Sequence, residues 1–190
     1  MRKIISFNHL SLDGFVAGPN GEMNWITLHP ELFSHVDKRI SQGDSALYGR
    51  VTYQMMEGYW PTAADKPNPS QHEINHSSWY KGIRKIVLSK TLSEEGLSNT
   101  LLLRDNLAEQ ITAIKQESGP EILLFGSPSA THSLLELGLI DGFWLFVNPV
   151  VLGKGIPLFT NVREKLKLQL VGSHRFDFGV HELDYVVERP

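Results

Sequence analysis

Ile122-Leu123-Leu124-Phe125-Gly126-Ser127-Pro128-Ser129 is the stretch that decides the fold. Its apolar run suits a buried strand, and the strand stops at Gly126. Ser127 has the chemistry of a helix cap, and Pro128 suits a first helical turn. A helix starting there points free backbone N–H groups and a positive dipole end over the strand, an arrangement that holds phosphates. Ala46-Leu47-Tyr48-Gly49-Arg50-Val51-Thr52 has the same form in a less sharp version. Two such junctions in one small chain suggest a dinucleotide spread across the ends of a sheet.

Working outward, strand-like runs occur at Lys3–Leu10, Ser45–Tyr48, Lys85–Leu88, Thr100–Leu103, Glu121–Phe125 and Gly142–Val147. Helix-like segments fall between them, at Pro30–Gln42, Val51–Glu57, Gln71–Tyr80, Leu107–Gln116 and Ser129–Leu137. Leu107, Ile111 and Ile114 share one helical face, and Gly119-Pro120 ends that segment. Alternating strands and helices imply an α/β architecture with a largely parallel sheet and helices on both faces, a three-layer fold. The C-terminal part differs. Leu166, Leu168 and Leu170 alternate with polar residues, as do Leu183, Tyr185 and Val187, so two half-buried antiparallel strands are expected around Asp177-Phe178-Gly179. The expected sheet is mixed, of about eight strands, with that hairpin at one edge. No repeat or linker interrupts the chain, and Pro61–Pro69 reads as a surface loop, so residues 1–190 are read as one domain.

Bulk composition narrows the function. The chain has 190 residues, 41% of them hydrophobic and 21% charged, with a net charge of -3, so a basic nucleic-acid-binding surface is not expected. The absence of cysteine excludes disulfides and thiolate chemistry and suits a reducing compartment. The N-terminal residues alternate like a strand and lack a signal-peptide centre. The most apolar stretch, Phe143 to Leu152, is broken by Asn148 and Pro149 and is too short to span a bilayer. A soluble, cytoplasmic protein with no membrane partner is the expectation. No G-x-G-x-x-G fingerprint occurs, and Gly153-Lys154-Gly155 lacks the earlier glycine of a P-loop, so an ordinary dinucleotide fold is disfavoured.

Several further segments carry chemistry. Ser11-Leu12-Asp13-Gly14-Phe15-Val16-Ala17 follows the first strand, and Asn24-Trp25-Ile26 follows it in turn. Asp13-Gly14 and Asn20-Gly21 are turn dipeptides bracketing a loop that can cover a flat ring, or are plain surface turns. Trp25 is either a core aromatic or the wall of a cleft. Gly49-Arg50-Val51-Thr52-Tyr53 sets a guanidinium and a hydroxyl at a helix start, where both suit phosphate. Ile86-Val87-Leu88-Ser89-Lys90, Phe125-Gly126-Ser127, Gly138-Leu139-Ile140-Asp141 and Pro149-Val150-Val151-Leu152-Gly153-Lys154-Gly155-Ile156-Pro157-Leu158-Phe159 complete the set.

In their order and spacing these segments resemble the dihydrofolate reductase-like family, in the branch related to the reductase domain of bacterial bifunctional riboflavin deaminase-reductases. The resemblance covers nearly the whole chain. It implies an NADPH-dependent oxidoreductase that passes a hydride to a small heterocyclic or carbonyl substrate, and a homodimer. By that resemblance Gly49, Arg50 and Thr52 hold cofactor phosphates, together with Gly126, Ser127, Pro128, Ser129 and Ala130. Ser89 and Lys90 are set for the ribose with its 2′-phosphate, where a bare diol would instead ask for an acidic residue. Trp25, Tyr53 and Met56 are the candidate substrate contacts, with Trp60 beside them. Asp13 and Glu31 are the candidate acids, although Asp13 also reads as a turn residue and Glu31 as a first-turn glutamate favouring the helix dipole.

The chain also departs from the pattern. Where the family has two adjacent glycines it has Gly126-Ser127. Phe125 replaces a glutamate that contacts the ribityl phosphate substrate in riboflavin-pathway reductases, Met23 replaces a polar residue, and Glu57-Gly58-Tyr59-Trp60-Pro61 stands in place of an Asp-Asp-Pro segment. A phosphorylated sugar needs such contacts, so the riboflavin intermediate is a doubtful substrate. The alternative reading is a nucleotide- or pterin-binding module without turnover. A competing motif, His72-Glu73-Ile74-Asn75-His76, matches the zinc-peptidase pattern, with Glu94 or Glu95 as third ligand. Its polar flanks favour a capped surface helix whose Ile74, Trp79 and Tyr80 face inward, and no metal is expected.

Overall fold

The computed structural model describes residues 1–160, 162 and 164–189. Strand β1 (Ile4–Leu10) lies inside an eight-stranded sheet and pairs in parallel with β6 (Ile122–Phe125) and β7 (Gly142–Val147). β3 (Ser45–Gly49), β4 (Arg84–Leu88) and β5 (Thr100–Leu103) extend the parallel part. β10 (His181–Val187) and β9 (Leu168–Arg175) close the other edge antiparallel, giving the order β5-β4-β3-β6-β1-β7-β10-β9. β2 (Phe15–Ala17) and β8 (Ile156–Pro157), not foreseen, form a separate two-stranded ribbon. The mixed α/β sheet with its C-terminal hairpin is as expected from the sequence pattern.

Alternation along β1 divides the core. Ile4 and Leu10 point to one face, and Ile5 and Phe7 to the other. The second face is covered by α1 (Pro30–Ile40) through Leu32, Val36 and Ile40, by α2 (Arg50–Glu57) through Tyr53, and by α3 (Gln71–Gly82) through Tyr80. The first face is covered by α4 (Leu107–Gln116) through Ile111 and Ile114, and by α5 (Pro128–Glu136) through Ala130 and Leu134. The order of strands explains the division. β1, β3 and β4 succeed one another toward one edge, whereas β5, β6 and β7 return toward the other. Right-handed crossovers moving in opposite directions must lie on opposite faces.

Three local expectations are corrected. The span Pro61–Pro69 is not simply surface loop, because Trp60–Asp65 forms a 3-10 helix with Ala63 fully buried. Ile74 of α3 is exposed, while His76, Ser77 and Tyr80 turn inward, so the helix docks through small and polar groups rather than an apolar stripe. Leu170 is also exposed, because β9 is an edge strand and its register with β10 shifts between Asp184 and Tyr185.

Polar groups fasten the N-terminal ends of the strands. The Lys115 ammonium is buried and donates to Asp141 Oδ2 at 2.5 Å and to the Leu139 carbonyl at 3.2 Å. Asp141 also accepts from the Ile4 N–H and from Arg189. Removing one partner of a buried pair leaves an uncompensated charge. Asp141→Ala is therefore expected to lower unfolding free energy by about 3–5 kcal/mol in urea titrations, and Lys115→Met by clearly less. Equal losses in the two variants would refute this reading of the pair.

Candidate active site

The reversal of winding has its consequence at β3 and β6, which are neighbours: Ala46 pairs with Leu123 and Leu47 with Leu124. Each strand runs straight into a helix, and the two helices leave toward opposite faces. Their first residues therefore meet at the carboxyl end of the sheet, where open α/β sheets have their ligand crevice. Ser127 joins them. Its hydroxyl accepts the Gly49 N–H at 2.9 Å and donates to the Phe125 carbonyl at 2.8 Å. The hydroxyl therefore does not cap its own helix, as the sequence suggested, although Ser127 does occupy the N-cap position of α5. Gly126 and Ser127 both have φ near +50°. This is a left-handed turn that costs the serine about 1–2 kcal/mol and swings α5 away from the strand axis.

Among the described residues, no protein acceptor meets the N–H groups of Val51 and Thr52 at the start of α2, or of Ser127, Ser129 and Ala130 at the start of α5; the Arg50 N–H continues the ladder to β4, where Gly49 pairs with Leu88. Thr52 reaches across, its side chain 3.9 Å from where a β-carbon on Gly126 would lie. Arg50 is exposed and rests on Gln54 at 3.0 Å, free to swing. Ser89 and Lys90 follow β4, whose Leu88 is paired with Gly49, so they stand on the same rim. The Ser89 hydroxyl accepts from Thr91 and Leu92, which shapes the turn and leaves its proton free. Lys90 is exposed, 3.9 Å from Asp105. Two helix starts, two cations and several hydroxyls share one rim, with Asp105 beside Lys90 the carboxylate nearest them, and this donor set fits a diphosphate.

A model of the RibD C-terminal domain matches residues 2–181. The chain belongs to the RibD C-terminal domain family. It is 33% identical over 186 residues to the uncharacterized protein YyaP of Bacillus subtilis (strain 168), covering 97% of this chain and 94% of that protein. Its fold is similar to that of a putative riboflavin biosynthesis protein from Shewanella sp. PV-4, with a TM-score of 0.76, 21% identity and coverage of 98% and 99% of the two chains. It also resembles dihydrofolate reductase from Enterococcus faecalis, solved with NADP(H), at a TM-score of 0.63 and 13% identity over 98% and 97% of the chains. The dihydrofolate reductase-like fold is thereby shown for this member of the RibD family.

The second cluster of expected residues lies beyond β1 and β7. The Asp13 carboxylate accepts from the Leu152 and Gly153 N–H groups at 3.1 and 2.7 Å. The Ser11 hydroxyl, then these amides, hold its pKa below the ordinary carboxylate value, which suits a loop clasp rather than a proton source. Asn148, which the sequence did not single out, is buried, and its Oδ1 accepts the Thr27 N–H at 2.9 Å. That bond ties the segment bearing Trp25 to the end of β7. Trp25 is half-buried and donates to the Glu22 carbonyl. Glu31 is an exposed first-turn residue of α1, whose own N–H is capped by His29.

Tyr53 is a core residue rather than a cleft residue: it is 3% exposed, with its hydroxyl 3.4 Å from that of Thr100 on the outermost parallel strand. Tyr53 falls on the inward face of α2, and burial of its ring leaves no surface for a ligand. Met56 is half-buried, its sulfur accepting from the Trp60 indole at 3.2 Å. Phe125 packs against Phe7, Tyr48 and Trp79, which makes this end of the sheet aromatic. Glu73 closes a capping box with Ser70 and also binds Tyr59 and Lys66, which hold its pKa down at about 2. It is unavailable as a peptidase base. Glu94 contacts Arg104, and the carboxylate beside the histidines is Asp37 of α1, not Glu94 or Glu95. Among the described residues no helix is long and apolar enough to cross a membrane.

His9, next to the end of β1, is stacked on Phe146, and its enclosed Nδ1 has no partner. Burial pushes its pKa down to about 4. In the unfolded chain a histidine takes up its proton near pH 6.5, whereas the folded chain resists until about 4. Between those values the unfolded state binds more protons, so stability falls as pH is lowered, by at most about 3 kcal/mol from this group. Urea unfolding of His9→Phe against the parent, at pH 7 and at pH 4.5, is expected to show a shallower loss in the variant. Parallel losses would mean that His9 is not the group responsible.

Proposed function

We propose that this RibD-family protein is an NADPH-dependent reductase that transfers a hydride to a small heterocyclic or carbonyl substrate. One observation carries the reading: the adjoining starts of α2 and α5 leave five N–H groups without protein acceptors among the described residues, beside the Arg50 guanidinium and the Thr52 hydroxyl. Gly49, Arg50 and Thr52 grip one phosphate of the cofactor. Gly126, Ser127, Pro128, Ser129 and Ala130 shape the turn that receives the other. Ser89 and Lys90 select the 2′-phosphate. When bound, NADPH supplies the hydride, and the protein supplies alignment and charge.

Trp25 provides an apolar surface beside the nicotinamide end, on a segment pinned by Asn148. Phe125 is buried among Phe7, Tyr48 and Trp79, so this position offers a phosphate no polar partner, which disfavours the phosphorylated intermediate of riboflavin synthesis as substrate. Asp13 serves as the clasp that positions the loop over the site. A binding module without turnover is the second reading, and one feature favours it: neither Asp13, held ionised, nor Glu31, turned to solvent, has the character of a proton donor.

Titration with NADPH and NADH side by side tests the cofactor assignment. NADPH is expected to bind more tightly. Arg50→Ala is expected to raise its dissociation constant by about tenfold to a hundredfold, through loss of charge-assisted hydrogen bonds. Lys90→Glu is expected to abolish the preference for NADPH over NADH. Unchanged NADPH affinity in Arg50→Ala removes the phosphate assignment. NADPH oxidation against pterins, pyrimidines and quinones separates the two readings, since a binding module gives tight binding with no oxidation above background.

A further inference from the structure

The histidine motif of α3, which the reductase reading leaves unused, lines a cavity of about 490 Å³ between α1 and α3, with Phe33, Asp37, Asn75 and Trp79 among its other walls. His72 and His76 are one helical turn apart and face α1 together. A carboxylate oxygen of Asp37 and one ring nitrogen from each histidine lie within 4.8 Å of one another. Both Asp37 oxygens are 3.0 Å from His72 Nδ1. His76 is 5% exposed, yet neither of its ring nitrogens has a hydrogen-bond partner. Buried polar atoms are rarely left so, and one common reason is a missing ion.

We propose that Asp37, His72 and His76 bind a divalent transition-metal ion of the zinc class, with a fourth coordination position open to the cavity. Two imidazoles and one carboxylate are a donor set for zinc, cobalt, nickel or ferrous iron rather than for magnesium or calcium. Tetrahedral zinc with bonds of 2.0–2.1 Å holds its ligands about 3.3 Å apart, so rotations of an ångström or so complete the site. The surroundings restrict those rotations. Phe33 stacks on His72 at 4.3 Å, and Trp60 and Trp79 flank His76 at 3.9 and 4.9 Å. The fourth position takes water or an oxygen or nitrogen donor of a small molecule in the cavity. The motif's own glutamate has no part in it, since Glu73 is held by Ser70, Tyr59 and Lys66. The site therefore binds without the base that peptide hydrolysis needs.

The test uses the full chain with any affinity tag removed, stripped by chelator and titrated with Zn²⁺ by calorimetry and with Co²⁺ by visible absorption, without nucleotide. One equivalent is expected to bind, with a four-coordinate cobalt spectrum and a rise in melting temperature. His72→Ala and His76→Gln are each expected to weaken binding about a hundredfold or more, and Glu73→Gln to leave it unchanged. Because a substitution at the buried His76 also tests folding, the half-buried Asp37→Asn gives an independent reading, with a loss of about tenfold or more expected. The proposal is overturned if the parent binds no stoichiometric metal, if the His72 and Asp37 variants bind as the parent does, or if Glu73→Gln loses metal as the histidine variants do. None of these outcomes depends on NADPH.

Discussion

One hydroxyl group shared between two chain crossings sets the geometry on which the site depends. Ser127 takes the Gly49 N–H and gives its own proton to Phe125, so the ends of β3 and β6 are tied at the point where α2 and α5 diverge. The tie needs a close approach. A β-carbon on Gly49 would stand in ordinary contact, 3.4 Å from that of Ser127 and 3.5 Å from that of Ala130, so the gap between the helix starts is about one methyl group wide. The serine pays for its place with a left-handed backbone, whose strain the two hydrogen bonds offset. With the starts held together, the positive ends of two helices lie side by side, and the N–H groups of Val51, Thr52, Ser127, Ser129 and Ala130 meet no protein acceptor among the described residues.

The other end of the cleft is held by different means. Loops rather than strands form it, and loops need anchors. Asp13 binds successive N–H groups at Leu152 and Gly153, and the buried Asn148 spans the Leu10 and Phe146 carbonyls while accepting from Thr27. The loops after β1 and β7 are thereby fixed to one another and to the sheet. At the opposite edge of the strands, Lys115, Asp141 and Arg189 secure the start of β1. Ionic groups thus hold the closed end, and amides and carboxylates hold the end that must admit a ligand.

Much of this was legible because the strongest signals are local. The apolar run stopping at Gly126 with Pro128 behind it marks a strand-to-helix junction whatever surrounds it, and alternation at Leu183, Tyr185 and Val187 marks a half-buried strand. Local sequence makes the Ser127 hydroxyl its own helix's cap, because its actual partner, Gly49, is 78 positions away. Tyr53 looked like a cleft residue beside Arg50 and Thr52, but a helix turns 100° per residue and carries it into the core. For α3 the misleading signal was hydrophobicity itself. Hydrophobicity alone points Ile74 inward, yet the face that docks presents His76, Ser77 and Tyr80. Asp37 was invisible because only packing brings α1 beside α3.

The aromatic end of the sheet and the histidine pair belong to one packed cluster. Phe125 touches Trp79 at 5.6 Å, Trp79 touches His76, and His76 touches Trp60, whose indole rests on Met56. Phe125 leaves the strand end apolar, and the nearest imidazole lies two rings away, on α3. An aromatic stack excludes water, and a polar group inside a dry wall discriminates more sharply than the same group in solvent. On this side of the sheet the side chains between Phe125 and Trp60 are therefore flat rings, with the His76 nitrogens enclosed among them.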